Sequence, residues 1–317
     1  MVIPERIARA ADDIRSMRIR GAGRIAVAGL EALRNAANDI YLESESPGTF
    51  LDRVREAEKV LLDTRPTAVA LPNALSFLDN SLDRGVRSGA SKEDLKKILD
   101  EAASQFIERV SEASKTIANL ALPLIPRGST AITHCHSSVA VAVMRKAAAG
   151  GLLRAIYVTE TRPLYQGRIT AKELGDSGAS VRFITDSAAG FYMRDSDIMI
   201  VGADAIAMNG DLINKIGTFP MAALAKQLGK IVLVAAETYK IATKALTGAD
   251  VPIEFRSPEE VYEQDPASTG IPRILNPVFD ITPGRLIDFI VTEIGVITEP
   301  ERGVPIIAKR AGLLPDG

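Results

Sequence analysis

One hexapeptide holds most of the reactive side chains in this sequence. Thr133-His134-Cys135-His136-Ser137-Ser138 contains the only cysteine and both histidines of the chain. It follows a β-branched run, Thr130–Thr133, and precedes a helical pattern, Val139–Ala149. The spacing predicts a strand running into a helix N-terminus, with Cys135 beside it. There the helix dipole and free N–H groups are expected to lower a thiol pKa and to favour anions. Cys135 is therefore a candidate acid, base or nucleophile. The alternative is a small buried apolar residue, the usual fate of a lone cysteine. A metal site is a third reading: on an extended backbone His134 and His136 share a side and Cys135 faces the other. No further His or Cys exists to complete a soft-ligand set, so no metal is expected.

Other polar groups follow further apolar runs. Asp204 comes just after Ile198–Val201. A partly desolvated carboxyl there has a raised pKa and suits general acid work; the alternative is an aspartate capping a turn. Asn214-Lys215-Ile216-Gly217-Thr218 offers an amide and an ammonium ahead of a helix, and Lys240 follows the run Ile231–Ala235. Earlier in the chain, Arg20-Gly21-Ala22-Gly23 separates two helical patterns, and Thr64-Arg65-Pro66-Thr67 ends a third. Glycines let backbone N–H groups approach a phosphate, and an arginine at a proline-enforced break can clamp an anion. The plain alternatives are an interhelix turn and a surface arginine. Arg20, Arg65, Lys215 and Lys240 together can supply cations at one mouth, and a sugar bisphosphate carries about three to four negative charges. No Walker motif and no GxGxxG after a strand is present, which argues against nucleoside triphosphate and dinucleotide chemistry.

These residues need a scaffold. The chain has 317 residues, 46% hydrophobic and 25% charged, enough for a sizeable core. Its net charge of −2 argues against a dedicated nucleic-acid or membrane-surface binder. No apolar run reaches about 18 residues, and the N-terminus lacks a signal-peptide core, so a cytoplasmic protein is expected. One cysteine excludes an intrachain disulfide. Helical stripes run through Ile3, Ile7, Ala10, Ile14 and Met17; through Ile25, Ala28, Ala32, Ala36 and Ile40; and through Phe50, Val54, Ala57 and Leu61. Ser91-Lys92-Glu93-Asp94 reads as a capping box opening a long helix that Pro123 and Pro126-Arg127-Gly128 stop. From Ser129 short strands alternate with helices: Thr130–Thr133, Ala155–Thr159, Val181–Thr185, Ile198–Val201, Ile231–Ala235 and Phe289–Thr292. This alternation predicts an α/β protein with an N-terminal helical domain, 1–126, and a C-terminal doubly wound, Rossmann-like parallel sheet, 127–317. The Pro-rich, acidic stretch Lys240–Ile281 reads as an excursion from that sheet or an oligomer contact. In such sheets ligands bind beyond the strands' carboxyl ends.

Taken as a set, Arg20–Gly23, Arg65-Pro66-Thr67-Ala68-Val69, Thr133–Ser137, Gln166-Gly167, Gly202-Ala203-Asp204 and Asn214–Thr218 resemble the initiation-factor-2B-like sugar-phosphate isomerases. That superfamily joins regulatory subunits of eukaryotic initiation factor 2B, methylthioribose-1-phosphate isomerases and archaeal ribose-1,5-bisphosphate isomerases. The resemblance spans nearly the whole chain. It extends furthest toward the last branch through Val158–Pro163, Ile169–Leu174 and Ala235–Lys240. It implies aldose–ketose isomerisation of ribose 1,5-bisphosphate to ribulose 1,5-bisphosphate in nucleotide degradation. Cys135 and Asp204 would be catalytic, with Asp204 protonating the ring oxygen and Cys135 taking the C2 proton. Arg20, Gly21, Ala22, Gly23, Arg65, Ser137, Gln166, Asn214, Lys215 and Lys240 would bind substrate. The second phosphate would lie among Arg20–Gly23, Arg65, Ser137 and Lys240. The resemblance implies no cofactor and no metal, an AMP activator, no nucleic-acid or membrane partner, and a homo-oligomer, dimer or hexamer. The alternatives are methylthioribose-1-phosphate isomerisation and a non-catalytic regulatory subunit. The regulatory subunits generally lack the Cys/Asp pair.

Overall fold

The fold is taken from a computed structural model, which describes residues 3–16, 18–19, 21–64, 69–262 and 273–314. Two compact units divide between Glu112 and Ala113.

The first unit is helical: α1 Glu5–Arg15, α2 Ala22–Leu42, α3 Pro47–Leu62, α4 Ala70–Arg87 and most of α5, Lys92–Ala121. The stripes explain the packing. Ile7 and Ile14 of α1, Ile25, Leu30, Leu33 and Ile40 of α2, and Phe50, Val54 and Leu61 of α3 are buried. Chain chemistry sets the ends. Ser46 and Thr49 form a capping box on α3 with Pro47 in its first turn. The expected box on α5 is also present: Asp94 N–H donates to Ser91 Oγ at 3.1 Å, and Ser91 N–H donates to Asp94 Oδ2 at 3.0 Å. Helix α4 had no counterpart among the predicted stripes. Its Leu71, Leu75, Leu78 and Leu82 are buried, and Pro72 is tolerated because it lies in the first turn, where no intrahelical N–H bond is lost.

The second unit is built on a seven-stranded sheet. Its strands are β1 Ser129–Thr133, β2 Leu153–Thr159, β3 Val181–Ile184, β4 Ile198–Val201, β7 Ile231–Ala235, β10 Phe289–Val291 and β11 Val296–Ile297. The order is β11-β10-β7-β4-β1-β2-β3, parallel except for β11. Helices α6 Ser138–Ala149, α7 Gln166–Asp176, α8 Ala189–Tyr192, α9 Thr218–Gln227 and α10 Pro300–Arg310 follow strands. Successive strand residues serve opposite faces. Met199, Val201, Val232 and Val234 enter one core, and Ile198, Ile200, Leu233 and Ala235 enter the other. A strand buried on both faces reads as a continuous apolar run, which is why these strands were legible.

The sequence did not foretell a second sheet, ordered β8-β5-β6-β9, with β5 Ala205–Ala207, β6 Leu212–Lys215, β8 Ile241–Ala242 and β9 Phe279–Thr282. The stretch expected as an excursion thus has ends that return as strands, β8 pairing with β5 and β9 with β6. In the large sheet, β2 and β3 extend to one side of β1, and the chain returns to lay β4 on the other. The gap between β1 and β4 is therefore the topological switch point, where ligands bind in such sheets. No described helix is long and apolar enough to cross a membrane.

Candidate active site

Cys135 stands two residues beyond the end of β1, with a left-handed backbone, φ +68°. This conformation is unfavourable for any side chain with a β-carbon, by about 1–2 kcal/mol. Glycine would relieve it, so retention of a cysteine points to a use for the thiol. The peptide is held on both sides: Cys135 N–H donates to Thr161 Oγ1 at 2.9 Å, and Thr170 Oγ1 donates to the Cys135 carbonyl at 2.9 Å. The thiol differs from the expectation. Burial and then the negative charge of Asp204 push it up to about 12, while Lys215 and the His136 N–H act in the opposite direction and lose. Helix α6 begins only at Ser138, and a helix dipole fades beyond its first turn, so burial prevails.

The two histidines have separate tasks. His134 is buried, with Nε2 2.8 Å from the Ile216 carbonyl and Nδ1 2.6 Å from Thr159 Oγ1. A carbonyl can only accept, so Nε2 carries the proton and Nδ1 accepts from the threonine hydroxyl. Burial outweighs the backbone hydrogen bond to Ile216 and the charge of Asp186, and it holds the ring neutral by lowering its pKa. With both nitrogens engaged, His134 is a strut between β1, β2 and the end of β6. His136 Nδ1 lies 3.1 Å from Thr170 Oγ1, whose proton goes to the Cys135 carbonyl, so Nδ1 donates. No cluster of three potential metal ligands occurs among the described residues.

Ser137 caps α6, its hydroxyl accepting from Ala140 N–H at 3.3 Å. Gly202, just past β4, lies against it: a β-carbon there would stand 2.4 Å from Ser137 Cβ. This close approach joins the ends of β1 and β4. Asp204 follows, half-buried, its N–H bonded to the Ile213 carbonyl at 3.0 Å where β5 begins. It thus sits at the entry to the small sheet, not directly on the end of a strand of the large one.

The small sheet delivers two further residues. Asn214 is buried and donates to Thr218 Oγ1 at 3.0 Å. Lys215 is also buried, its ammonium 5.5 Å from the Phe279 ring and close enough to act on the Cys135 thiol. Among the described residues no carboxylate pairs with it. Gly217, at φ +104°, passes beside His134, where a β-carbon would meet Nε2 at 3.1 Å. Sequence reasoning missed Asp280, which accepts from Gly217 N–H at 2.7 Å and Phe219 N–H at 3.1 Å and so caps α9 from β9. Only register reveals it, because Asp280 pairs with Asn214.

Gln166 is the first residue of α7, and its buried Oε1 has no hydrogen-bond partner among the described residues. An unmatched buried acceptor suits an incoming hydroxyl. Gly167 permits the helix to start there, since a β-carbon would fall 1.7 Å from the Thr159 carbonyl oxygen. Lys240 departs from the expected cation set. Its ammonium lies 2.8 Å from Glu237 Oε2, and both side chains are buried. Burial raises the Glu237 carboxyl, but the Lys240 charge, with the hydrogen bond from Tyr239 Oη, outweighs it and holds the group below its ordinary value. The Lys240 charge is therefore already matched. Gly21 caps α2 at φ +89°, and Ala22 and Gly23 form its first turn, in the N-terminal unit. Arg20, Arg65-Pro66-Thr67-Ala68 and the stripe residue Met17 lie outside the described residues.

Known proteins share this architecture. Residues 18–299 match the initiation factor 2 subunit family. The ribose 1,5-bisphosphate isomerase of Thermococcus kodakarensis is 40% identical over 319 residues, covering 98% of this chain and 97% of its own. That of Methanocaldococcus jannaschii is 41% identical over 304 residues, covering 96% and 94%. The solved structure of 5-methylthioribose 1-phosphate isomerase from Pyrococcus horikoshii OT3 superimposes with a TM-score of 0.79 at 30% identity, over 96% of this chain and 88% of that one. A match that runs through both units, and relatives alike from end to end, lead to one conclusion: the chain belongs to the initiation factor 2 subunit family.

Proposed function

We propose that this protein is an aldose–ketose isomerase that converts ribose 1,5-bisphosphate to ribulose 1,5-bisphosphate. The observation that carries the reading is Cys135. A thiol is kept on a left-handed backbone at the switch point, within reach of the Asp204 charge. The names of the Thermococcus and Methanocaldococcus relatives supply the substrate.

Phosphate on C1 blocks simple opening of the hemiacetal to an aldehyde, so the route runs through an enol. With the thiol protonated at rest, one proton passes from Cys135 to Asp204 and leaves a thiolate and a carboxylic acid. The buried Lys215 ammonium favours that thiolate. Asp204 then protonates the ring oxygen as the C1–O bond breaks. Cys135 takes the C2 proton, and the C2–H electron pair becomes the C1=C2 double bond. Cys135 then returns its proton to C1 as the C2 hydroxyl proton passes to the Asp204 carboxylate, which gives the ketone with phosphate still on C1 and restores the thiolate and the acid. Acid–base assistance of this kind contributes about 10²–10⁴-fold. Gln166 and Asn214 orient hydroxyls, and Lys215, Ser137 and the Arg20–Gly23 and Arg65 segments bind phosphate. Lys240 joins them if substrate draws it from Glu237. The scheme uses no cofactor. The reading also includes activation by AMP, a homo-oligomer of two or six chains, and a cytoplasmic location.

The test is phosphorus NMR of purified protein with α-ribose 1,5-bisphosphate, with and without AMP. Ribulose 1,5-bisphosphate is the expected product. Turnover of methylthioribose 1-phosphate alone would transfer the protein to that branch. Inactivity on both sugars would leave the regulatory-subunit reading.

A further inference from the structure

Thr161 carries more strain than a connecting residue needs. It is β-branched, fully buried and left-handed at φ +62°. Such a conformation is a genuine outlier for a β-branched residue, and it persists only where the surroundings over-determine it. Those surroundings are visible. The Asp186 carboxylate accepts Thr161 N–H at 2.7 Å and Arg162 N–H at 2.7 Å, pinning the segment after β2. Glycine at 161 would remove the strain, but it would also remove Oγ1, the acceptor of Cys135 N–H at 2.9 Å. Thr170, 1% exposed on α7, donates to the Cys135 carbonyl at 2.9 Å and accepts from His136 Nδ1 at 3.1 Å. Two hydroxyls from the β2–α7 segment thus hold the N–H and the carbonyl of one strained residue.

We propose that Thr161 and Thr170 are positioning residues that hold Cys135 in its left-handed conformation and so aim its thiol at the substrate carbon, with Asp186 fixing Thr161. The proposal rests on the reading of Cys135 as the proton-transferring group. A reacting group must be placed to within a fraction of an ångström, and a misplacement of about 1 Å costs about 10²-fold. The grip replaces what a helix or strand would otherwise supply, because Cys135 lies in neither.

The test uses Thr161→Val, Thr170→Val and the corresponding Ser variants in the full chain. Valine keeps the shape and removes the hydroxyl; serine keeps the hydroxyl. Each Val variant is expected to lower kcat by about 10–100-fold with KM nearly unchanged, and each Ser variant to restore most of it. Iodoacetamide labelling of Cys135 against pH supplies a readout that needs no substrate. With the grip lost, the thiol gains solvent and the labelling profile moves to lower pH; in the Ser variants it stays with the wild type. Should Thr161→Val fail to fold, Thr170→Val carries the same comparison. A Val profile superimposable on the wild type overturns the proposal, whatever kcat does, and so does a Val kcat within about twofold of wild type in an active enzyme. If the wild type turns over neither sugar, the functional reading fails while the labelling profile still decides the grip.

Discussion

Gly202 and Ser137 touch across the switch point, so closely that a β-carbon on residue 202 would stand 2.4 Å from both Cβ and Oγ of the serine. The contact fastens the turn after β4 to the cap of α6, between the segments that carry Cys135 and Asp204. Gly202→Ala should therefore cost about 1–3 kcal/mol, as overpacking does, and disturb catalysis as well. Gly175→Ala is the control. It lies within α7 with nothing within 4 Å of a new β-carbon, and it should gain about 0.4–1 kcal/mol. Urea unfolding of both variants, with isomerase rates, checks the pair.

Cys135→Ser and Asp204→Asn should each reduce turnover by about 10²–10⁴-fold without loss of fold. Neither side chain is a strut in the core, so circular dichroism and melting temperature should stay near the wild type. Wild-type rates in either variant would end the acid–base assignment.

The buried Glu237–Lys240 pair makes a different prediction. Removing one partner strands the other charge, so Glu237→Gln or Lys240→Met should cost about 3–5 kcal/mol. The double variant should cost less than the sum of the two, because neither charge is left behind. A denaturation double-mutant cycle measures the difference, and additivity would show that the pair is not coupled.

In the helical unit, burial, then the charge of Asp79 and a hydrogen bond to it, push Glu58 up to about 8, against the pull of Arg55 and with Asp83 adding repulsion. A carboxyl raised on folding binds its proton more tightly in the native state. Its contribution is complete below the ordinary carboxyl value of 4.5 and is lost as pH rises toward about 8. Melting temperature should therefore fall over that window. Glu58→Gln, neutral at every pH, should flatten the dependence, and an unchanged slope would remove Glu58 as its source.

Local patterns in the sequence settled much of this protein. The central strands β4 and β7 are apolar on both faces, so they stand out as runs, and Phe50, Val54 and Leu61 mark a helix face by spacing alone. The hexapeptide around Cys135 was visible because rare side chains cluster there. Tertiary structure decided what depends on pairing between distant segments. The small sheet escaped notice because its strands are two to four residues long and draw partners from both ends of a long insertion. Helix α4 was obscured by Pro72 and Gly85. The thiol was expected to be lowered by a neighbouring helix and is raised instead, because desolvation depends on everything packed around a group and not on its neighbours in the chain. The same holds for Lys240, matched by Glu237, and for Thr161 and Thr170, whose hydroxyls reach Cys135 only once β2 and α7 are laid beside β1. Sequence spacing reports which face a side chain takes; only the folded chain fixes what stands opposite it.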